Sequence, residues 1–201
     1  MAVNISVGTK VHSEIPHYKL LSDVPEELYK KVYYVYLSGI NLTDVPEIIY
    51  GFTNLEILDI SNNQISDFPL EILNFKKLRM LYMQCNSITN IPEKAINMLA
   101  NLKQFESDFA TLRKNDLMII NYYDDDILIS DEINTLIIYH FGKKVLFNNL
   151  PPDLRYLKIS NKRQTYIVLN NIPSSLETLV LNNVTLINNV KIPFCCNVFT
   201  S

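Results

Sequence analysis

The residue types that most often carry catalysis or bind metals are few and scattered in this chain. Its three histidines, His12, His17 and His140, are distant from one another or lie near the amino terminus. None of the spacings that build a phosphate loop, a nucleophile elbow or a zinc-binding helix occurs. Cys85 has no neighbouring histidine or basic cluster that would activate it as a nucleophile. We therefore predict that the protein is not an enzyme and has no catalytic residues, no metal ligands and no cofactor.

One run of carboxylates is the exception to this scatter. Asp124, Asp125 and Asp126 are consecutive, and calcium is bound in proteins by several carboxylate oxygens. No glycine-containing loop with alternating ligands surrounds them, so we interpret the run as a solvated loop. A metal-dependent enzyme that uses this loop stays open as an alternative, which calorimetric titration with calcium, magnesium and manganese would test.

An internal repeat defines the elements that position the side chains. Leu55, Leu58, Ile60, Asn63, Ile65, Phe68 and Pro69 are answered 23 residues later by Leu78, Leu81, Met83, Asn86, Ile88, Ile91 and Pro92. The alternating aliphatics favour a short strand with one buried face. The asparagine amide can satisfy backbone groups at the following turn, and the proline suits a return path without ladder bonding. One such unit buries too little apolar surface to fold alone, so the units must stack.

The pattern L-x-x-L-x-L-x-x-N-x-L-x-x-L-P resembles the leucine-rich repeat family. The resemblance implies an α/β fold, a leucine-rich-repeat solenoid of about seven to eight repeats. Its curved parallel β-sheet would line the concave face, and extended, 3₁₀ or short helical segments the convex face. We predict a cap or degenerate half-repeat (1–30), regular repeats of 23–24 residues (31–110), an irregular repeat with the acidic loop (111–132), repeats of 21–22 residues (133–190) and a tail or cap (191–201). Residues 93–99 favour a helical turn or two, and residues 117–121 a strand.

The repeats of the carboxy-terminal half have their proline just before the strand. The phrases that show it are Phe147-Asn148-Asn149-Leu150-Pro151 and Asn170-Asn171-Ile172-Pro173. They resemble FNIP-type repeats, a leucine-rich-repeat variant associated with amoebae and the large DNA viruses that infect them. Only Phe147 keeps the phenylalanine of that motif.

The composition excludes several classes of protein. The 201 residues are 48% hydrophobic and 19% charged, which is ordinary for a folded protein with a core. A net charge of −3 argues against nucleic acid as a partner. Three cysteines cannot form a secreted disulfide framework, and neither a signal peptide pattern nor a membrane-spanning apolar run is found. We predict a cytoplasmic protein, in the host cytoplasm if it is viral, with no membrane partner.

The side chains between the buried positions of each strand are predicted to face the concave surface. In the amino-terminal half they are rich in tyrosine and methionine, which are enriched in protein interfaces, and in carboxylates that favour a lysine- or arginine-bearing surface. The predicted partner-binding residues are Tyr34, Tyr36, Ile57, Asp59, Met80, Tyr82, Gln84, Glu106 and Asp108. In the carboxy-terminal half the same positions hold Thr135, Ile137, Tyr139, Tyr156, Lys158, Ser160, Thr178, Val180 and Asn182.

We therefore predict a non-catalytic protein–protein interaction module that binds its partner through the concave face. A substrate-recognition subunit of a ubiquitin-ligase assembly is the alternative. That role needs a docking element such as an F-box, which residues 1–30 do not spell convincingly.

Overall fold

The computed structural model describes residues 21, 24–109, 111–121, 127, 129–140, 146–147, 150–187 and 191–201. The chain forms two compact units, Met1–Asp108 and Phe109–Ser201. His12, His17, the acidic run Asp124, Asp125 and Asp126, and most of the predicted cap (1–30) lie outside the described residues.

The described part of the first unit, residues 21 and 24–108, contains four short parallel strands in chain order. They are β1 (Tyr34–Tyr36), β2 (Ile57–Asp59), β3 (Met80–Tyr82) and β4 (Gln104–Glu106). The first residues of the strands, Tyr34, Ile57, Met80 and Gln104, are register partners, as are their central residues. A spacing of 23 or 24 residues between repeats thus places equivalent residues side by side, and the predicted parallel pairing is confirmed in this unit.

In the described part of the first unit, a helical segment follows each proline. Three are 3₁₀ helices, Glu26–Lys31, Glu47–Gly51 and Leu70–Asn74, and the fourth is an α-helix, α1 (Glu93–Asn101). Proline is favoured at such starts because the N–H that it lacks has no helical partner there. The predicted helical turn at residues 93–99 is confirmed by α1. Between strands and return paths lies an aliphatic core whose central members, Leu55, Leu58 and Leu81, have no exposed surface.

Among its described residues, the second unit has a sheet of six strands and a short side strand. The strands are β5 (Thr111–Lys114), β6 (Leu117–Ile120), β7 (Thr135–Ile138), β8 (Leu146–Phe147), β9 (Tyr156–Leu169), β10 (Thr178–Leu186) and β11 (Asn197–Thr200). The sheet order is β11-β10-β9-β7-β6-β5, and β8 pairs with β9. All described pairs are parallel except β5 with β6, which form an antiparallel hairpin.

β6 explains the long gap in the repeat pattern after Leu102. It pairs in parallel with β7, and Met118 stands opposite Leu136, the first aliphatic strand position of the next repeat. The gap therefore contains a repeat strand whose consensus has been lost, and β5 is the added segment. The predicted strand at residues 117–121 is present as Leu117–Ile120.

The return paths of the second unit are partly β-structure. β9 and β10 pair first over residues 156–160 and 178–182, shift register between Asn182 and Val184, and then pair again through Thr165–Ile167. The end of β9 also pairs with β8. Extended backbone thus continues past the turn and remains hydrogen-bonded there.

The prediction that the positions between the core residues are exposed in this second unit was wrong at five places. Ile137, Tyr139, Lys158, Ser160 and Asn182 are all buried, with at most 8% of their surface exposed. The uninterrupted apolar run from residue 136 to 139 is typical of a strand that is covered on both faces. Ser160 and Asn182 are buried as hydrogen-bonded partners, since the Asn182 amide donates to the Ser160 hydroxyl at 2.9 Å.

Candidate functional site

Asn63 fixes the turn that follows β2 by forming hydrogen bonds to two successive repeats, each of which we call a coil. Its Oδ1 accepts from the backbone N–H groups of Ile40 (3.1 Å) and Leu42 (3.0 Å) in the preceding coil. Its Nδ2 donates to the carbonyl of Leu37 at 2.8 Å and to that of Ile60, in its own coil, at 3.0 Å. This explains how the turn at Ile40, which lacks the consensus asparagine, is satisfied: the amide comes from the next repeat.

Asn86 repeats this arrangement one coil later, and Asp108 ends it. Asn86 Oδ1 accepts from the Ile65 N–H at 3.1 Å, and its Nδ2 donates to the Ile60 carbonyl at 2.9 Å. The Asp108 carboxylate accepts from the N–H groups of Cys85 (2.8 Å) and Asn86 (3.2 Å). Asp108 therefore supports a turn, and the partner contact predicted for it stays a prediction.

These turns flank a set of side chains on the sheet of the first unit, on the side opposite its core. We call this set the Tyr–Asp face. Its first row is Tyr34, Ile57, Met80 and Gln104, and its second row is Tyr36, Asp59, Tyr82 and Glu106. Neighbours within a row belong to paired strands, which are roughly 4.8 Å apart.

Contacts within the Tyr–Asp face hold several of its side chains in place. The Tyr82 hydroxyl lies 3.6 Å from the sulfur of Met80, and the Gln104 amide donates to Glu106 at 3.2 Å. Asp59 Oδ1 accepts from both the backbone N–H (3.0 Å) and the hydroxyl (2.6 Å) of Ser61. Tyr36 is the most accessible aromatic of the face, with 38% of its surface exposed. The face thus offers aromatic and carboxylate groups whose positions are set before any partner arrives.

The electrostatics of the second row favour neutral phenols beside fixed negative charge. Partial burial raises the pKa of Tyr82 to about 12, and the charges of Glu106 and Asp59 and the neighbouring Tyr36 add to the shift. Burial and Asp59 also raise the pKa of Tyr36. The two phenols therefore stay protonated at neutral pH, and both are close enough to Asp59 to respond to its charge.

Seven of the nine predicted partner-binding residues lie together on the Tyr–Asp face: Tyr34, Tyr36, Ile57, Asp59, Met80, Tyr82 and Glu106. Gln84 and Asp108 follow β3 and β4 instead, beyond the paired residues. Gln104 completes the first row but was not among the predicted residues, although its place in the repeat column is the signal that would have included it.

Among the described residues, no group of three or more histidine, cysteine, aspartate or glutamate side chains could hold a metal ion. Lys158 is an unusual buried cation: its Nζ lies 5.1 Å from the ring centroid of Tyr139, and burial lowers its pKa to about 8.

No helix in the described part is both long and apolar enough to cross a membrane.

Residues 34–74, which run from β1 through the third 3₁₀ helix, match the family model for leucine-rich repeats in two copies. This stretch therefore consists of leucine-rich repeats, as its spelled pattern predicted. The FNIP-type resemblance of the carboxy-terminal half stays a prediction.

Three solved structures are similar to this chain at low identity. Internalin C2 of Listeria monocytogenes is 18% identical with a TM-score of 0.40, over 83% of this chain and 68% of that one. A leucine-rich repeat protein of Leptospira interrogans is 22% identical with a TM-score of 0.40, over 81% and 46%. An internalin (inlF) of L. monocytogenes is 19% identical with a TM-score of 0.38, over 84% and 54%. The chain spans about half the length of the last two, and no curated protein sequence matches it.

Proposed function

We propose that this protein is a non-catalytic binding module whose Tyr–Asp face contacts a protein partner. The observation that carries the proposal is the register of the four strands, which brings three tyrosines, a methionine and two carboxylates into two adjacent rows. Tyrosine and methionine bury large areas when a partner covers them, and tyrosine has few rotatable bonds to immobilise. The leucine-rich repeats at 34–74 include β1 and β2, which carry the first two residues of each row.

The core on the other side of the sheet makes this face separable from folding. Val35, Leu58, Leu81 and Phe105, the central residues of the strands, have no exposed surface and hold the sheet on the return paths. The face residues alternate with them and point the other way, because successive side chains of a strand lie on opposite sides. Face substitutions are therefore expected to change binding while leaving the core packed.

The test is capture of the partner with tagged protein from an extract of the source cells, read by mass spectrometry. The double variant Tyr36→Ala with Tyr82→Ala is expected to lose the partners that the unchanged protein enriches. Tyr166→Ala is the matched control, since Tyr166 is 58% exposed and lies in β9, outside the face. Circular dichroism checks folding of each variant. Equal recovery of the partner by the double variant and the control would contradict the proposal.

A further inference from the structure

The second row of the Tyr–Asp face places a carboxylate between two aromatic rings. Asp59 on β2 is the register partner of Tyr36 on β1 and of Tyr82 on β3. Two strand spacings separate the backbones of the two tyrosines by roughly 9.5 Å. A cation is attracted to an aromatic face within about 6 Å of the ring centroid. At this backbone spacing, one cationic group bound above Asp59 would be in reach of both rings.

The Asp59 carboxylate is oriented but not neutralised. The backbone N–H and the hydroxyl of Ser61 both bond to Oδ1 of Asp59. Neither of these groups carries a charge, and no lysine or arginine of the described residues pairs with Asp59. The Tyr82 ring is also held, through the contact of its hydroxyl with Met80. A ligand would therefore meet side chains that need little rearrangement, which lowers the entropic cost of binding.

The charge of the face is one-sided. Its eight positions contain two carboxylates, Asp59 and Glu106, and no lysine or arginine. The nearest basic residue along β3, Arg79, precedes the strand and is 3.9 Å from Glu56. An apolar segment would desolvate the charge of Asp59 without supplying a countercharge, whereas a cationic segment would compensate it.

We propose that this row binds an arginine side chain from an extended segment of the partner, with its guanidinium between Tyr36 and Tyr82 and above Asp59. This inference rests on the proposed function, because it names the chemistry that the same face recognises. Arginine fits better than lysine, since its planar guanidinium stacks on aromatic rings and is more weakly hydrated than an ammonium group. An extended segment fits because its alternate side chains point to one side and can meet the face together.

The probe for this site is a blocked, fluorescently labelled peptide of alternating arginine and threonine, with binding read by anisotropy. The same peptide with citrulline in place of arginine keeps the shape and removes the charge. Two protein variants are tested. Asp59→Asn keeps an oxygen for the Ser61 bonds, and Tyr36→Leu removes one ring. Glu71→Gln is the matched control, because Glu71 is exposed on the 3₁₀ helix Leu70–Asn74 and its substitution changes the net charge equally.

The arginine peptide is expected to bind and the citrulline peptide to bind at least about tenfold more weakly, as for loss of a charge-assisted hydrogen bond. Asp59→Asn should weaken binding of the arginine peptide about tenfold, and Tyr36→Leu should weaken it about threefold. Glu71→Gln should leave this binding unchanged. If Asp59→Asn does not fold, Tyr36→Leu still decides the question.

Besides unchanged binding of the arginine peptide by Tyr36→Leu, three results would overturn the inference. The first is no binding of the arginine peptide, and the second is equal binding of the citrulline peptide. The third is equal weakening by Glu71→Gln and Asp59→Asn, which would show attraction by net charge alone. A partner that is lost from the Tyr36→Ala, Tyr82→Ala variant while the peptide fails to bind would sink this inference and leave the proposed function standing.

Discussion

Replacing Asn63 by alanine is expected to destabilise the first unit by removing a bridge between two coils. The amide satisfies two backbone donors, Ile40 and Leu42, and donates to the carbonyl of Leu37. Its bond to Ile60 is less critical, because that carbonyl also accepts from Asn86 at 2.9 Å. Alanine thus leaves two N–H groups and one carbonyl without their partner.

The expected magnitude follows from these three groups. An unsatisfied buried polar group costs about 1–3 kcal/mol, and the lower end applies here because Ile40 and Leu42 are half-buried and water can reach part of the turn. The free energy of unfolding should therefore fall by about 3 kcal/mol. That is a large part of the stability of an ordinary domain, which is about 5–15 kcal/mol.

Urea denaturation followed by circular dichroism measures the loss, and hydrogen exchange locates it. The amides of Ile40 and Leu42 should exchange faster in Asn63→Ala, because their acceptor is gone. Gln64→Ala is the control: Gln64 is the adjacent residue, is exposed, and should change stability by less than about 0.5 kcal/mol. A loss below about 1 kcal/mol in Asn63→Ala, with unchanged exchange at both amides, would refute the bridging role of this asparagine.

Four further outcomes are expected. Leu58→Ala should lower the free energy of unfolding by about 2–5 kcal/mol, because the side chain is fully buried; an unchanged urea midpoint would show that the assigned register is wrong. Gly51→Ala should cost about 1–3 kcal/mol in thermal melts, since its Cβ would lie 2.8 Å from the Tyr29 ring; an unchanged melting temperature would mean that this ring moves aside freely. Because the pKa of Tyr82 is raised from 10.0 to about 12, the neutral phenol stabilises the fold. This contribution is complete below pH 10 and is lost as the pH rises towards 12. Between these values the melting temperature should therefore fall less steeply with pH in Tyr82→Phe than in the unchanged protein. An equal slope in the two proteins would contradict the shift. Burial lowers the pKa of Lys158 from 10.5 to about 8, so stability should rise with pH between these values and lack that rise in Lys158→Met; an identical profile would contradict a buried charge.

The parallel sheet of the first unit was predictable because its repeats are of nearly constant length. With 23 or 24 residues per coil, buried leucines fall beside buried leucines, and the tyrosine and carboxylate columns follow from the same register. The bridge by Asn63 was not predictable from its own repeat. It depends on contact with the preceding coil, and only the missing asparagine at Ile40 indicated that another group must serve that turn.

The second unit shows where pattern reasoning failed. The β5–β6 hairpin lies in a stretch without consensus residues, and its turn contains Asn115 with φ of 54°, a conformation that asparagine tolerates. Lys158 and Tyr139 were assigned to an exposed column by analogy with the first unit, but both are buried. The apolar neighbours of Tyr139 in β7, Leu136, Ile137 and Ile138, carried the contrary signal, since an uninterrupted apolar run is typical of a strand that is covered on both faces.

Hydroxyl-radical footprinting tests the central claim most directly, because the side chains of the Tyr–Asp face are themselves readily oxidised. The protein is labelled with and without the alternating arginine and threonine peptide, and oxidation is mapped by mass spectrometry. We expect Tyr36, Met80 and Tyr82 to be protected by the peptide, while Tyr50, which packs against Phe75 with ring centroids 6.2 Å apart, is unchanged. Protection of Tyr50 with no change at the three face residues would contradict the assignment of this face as the binding surface.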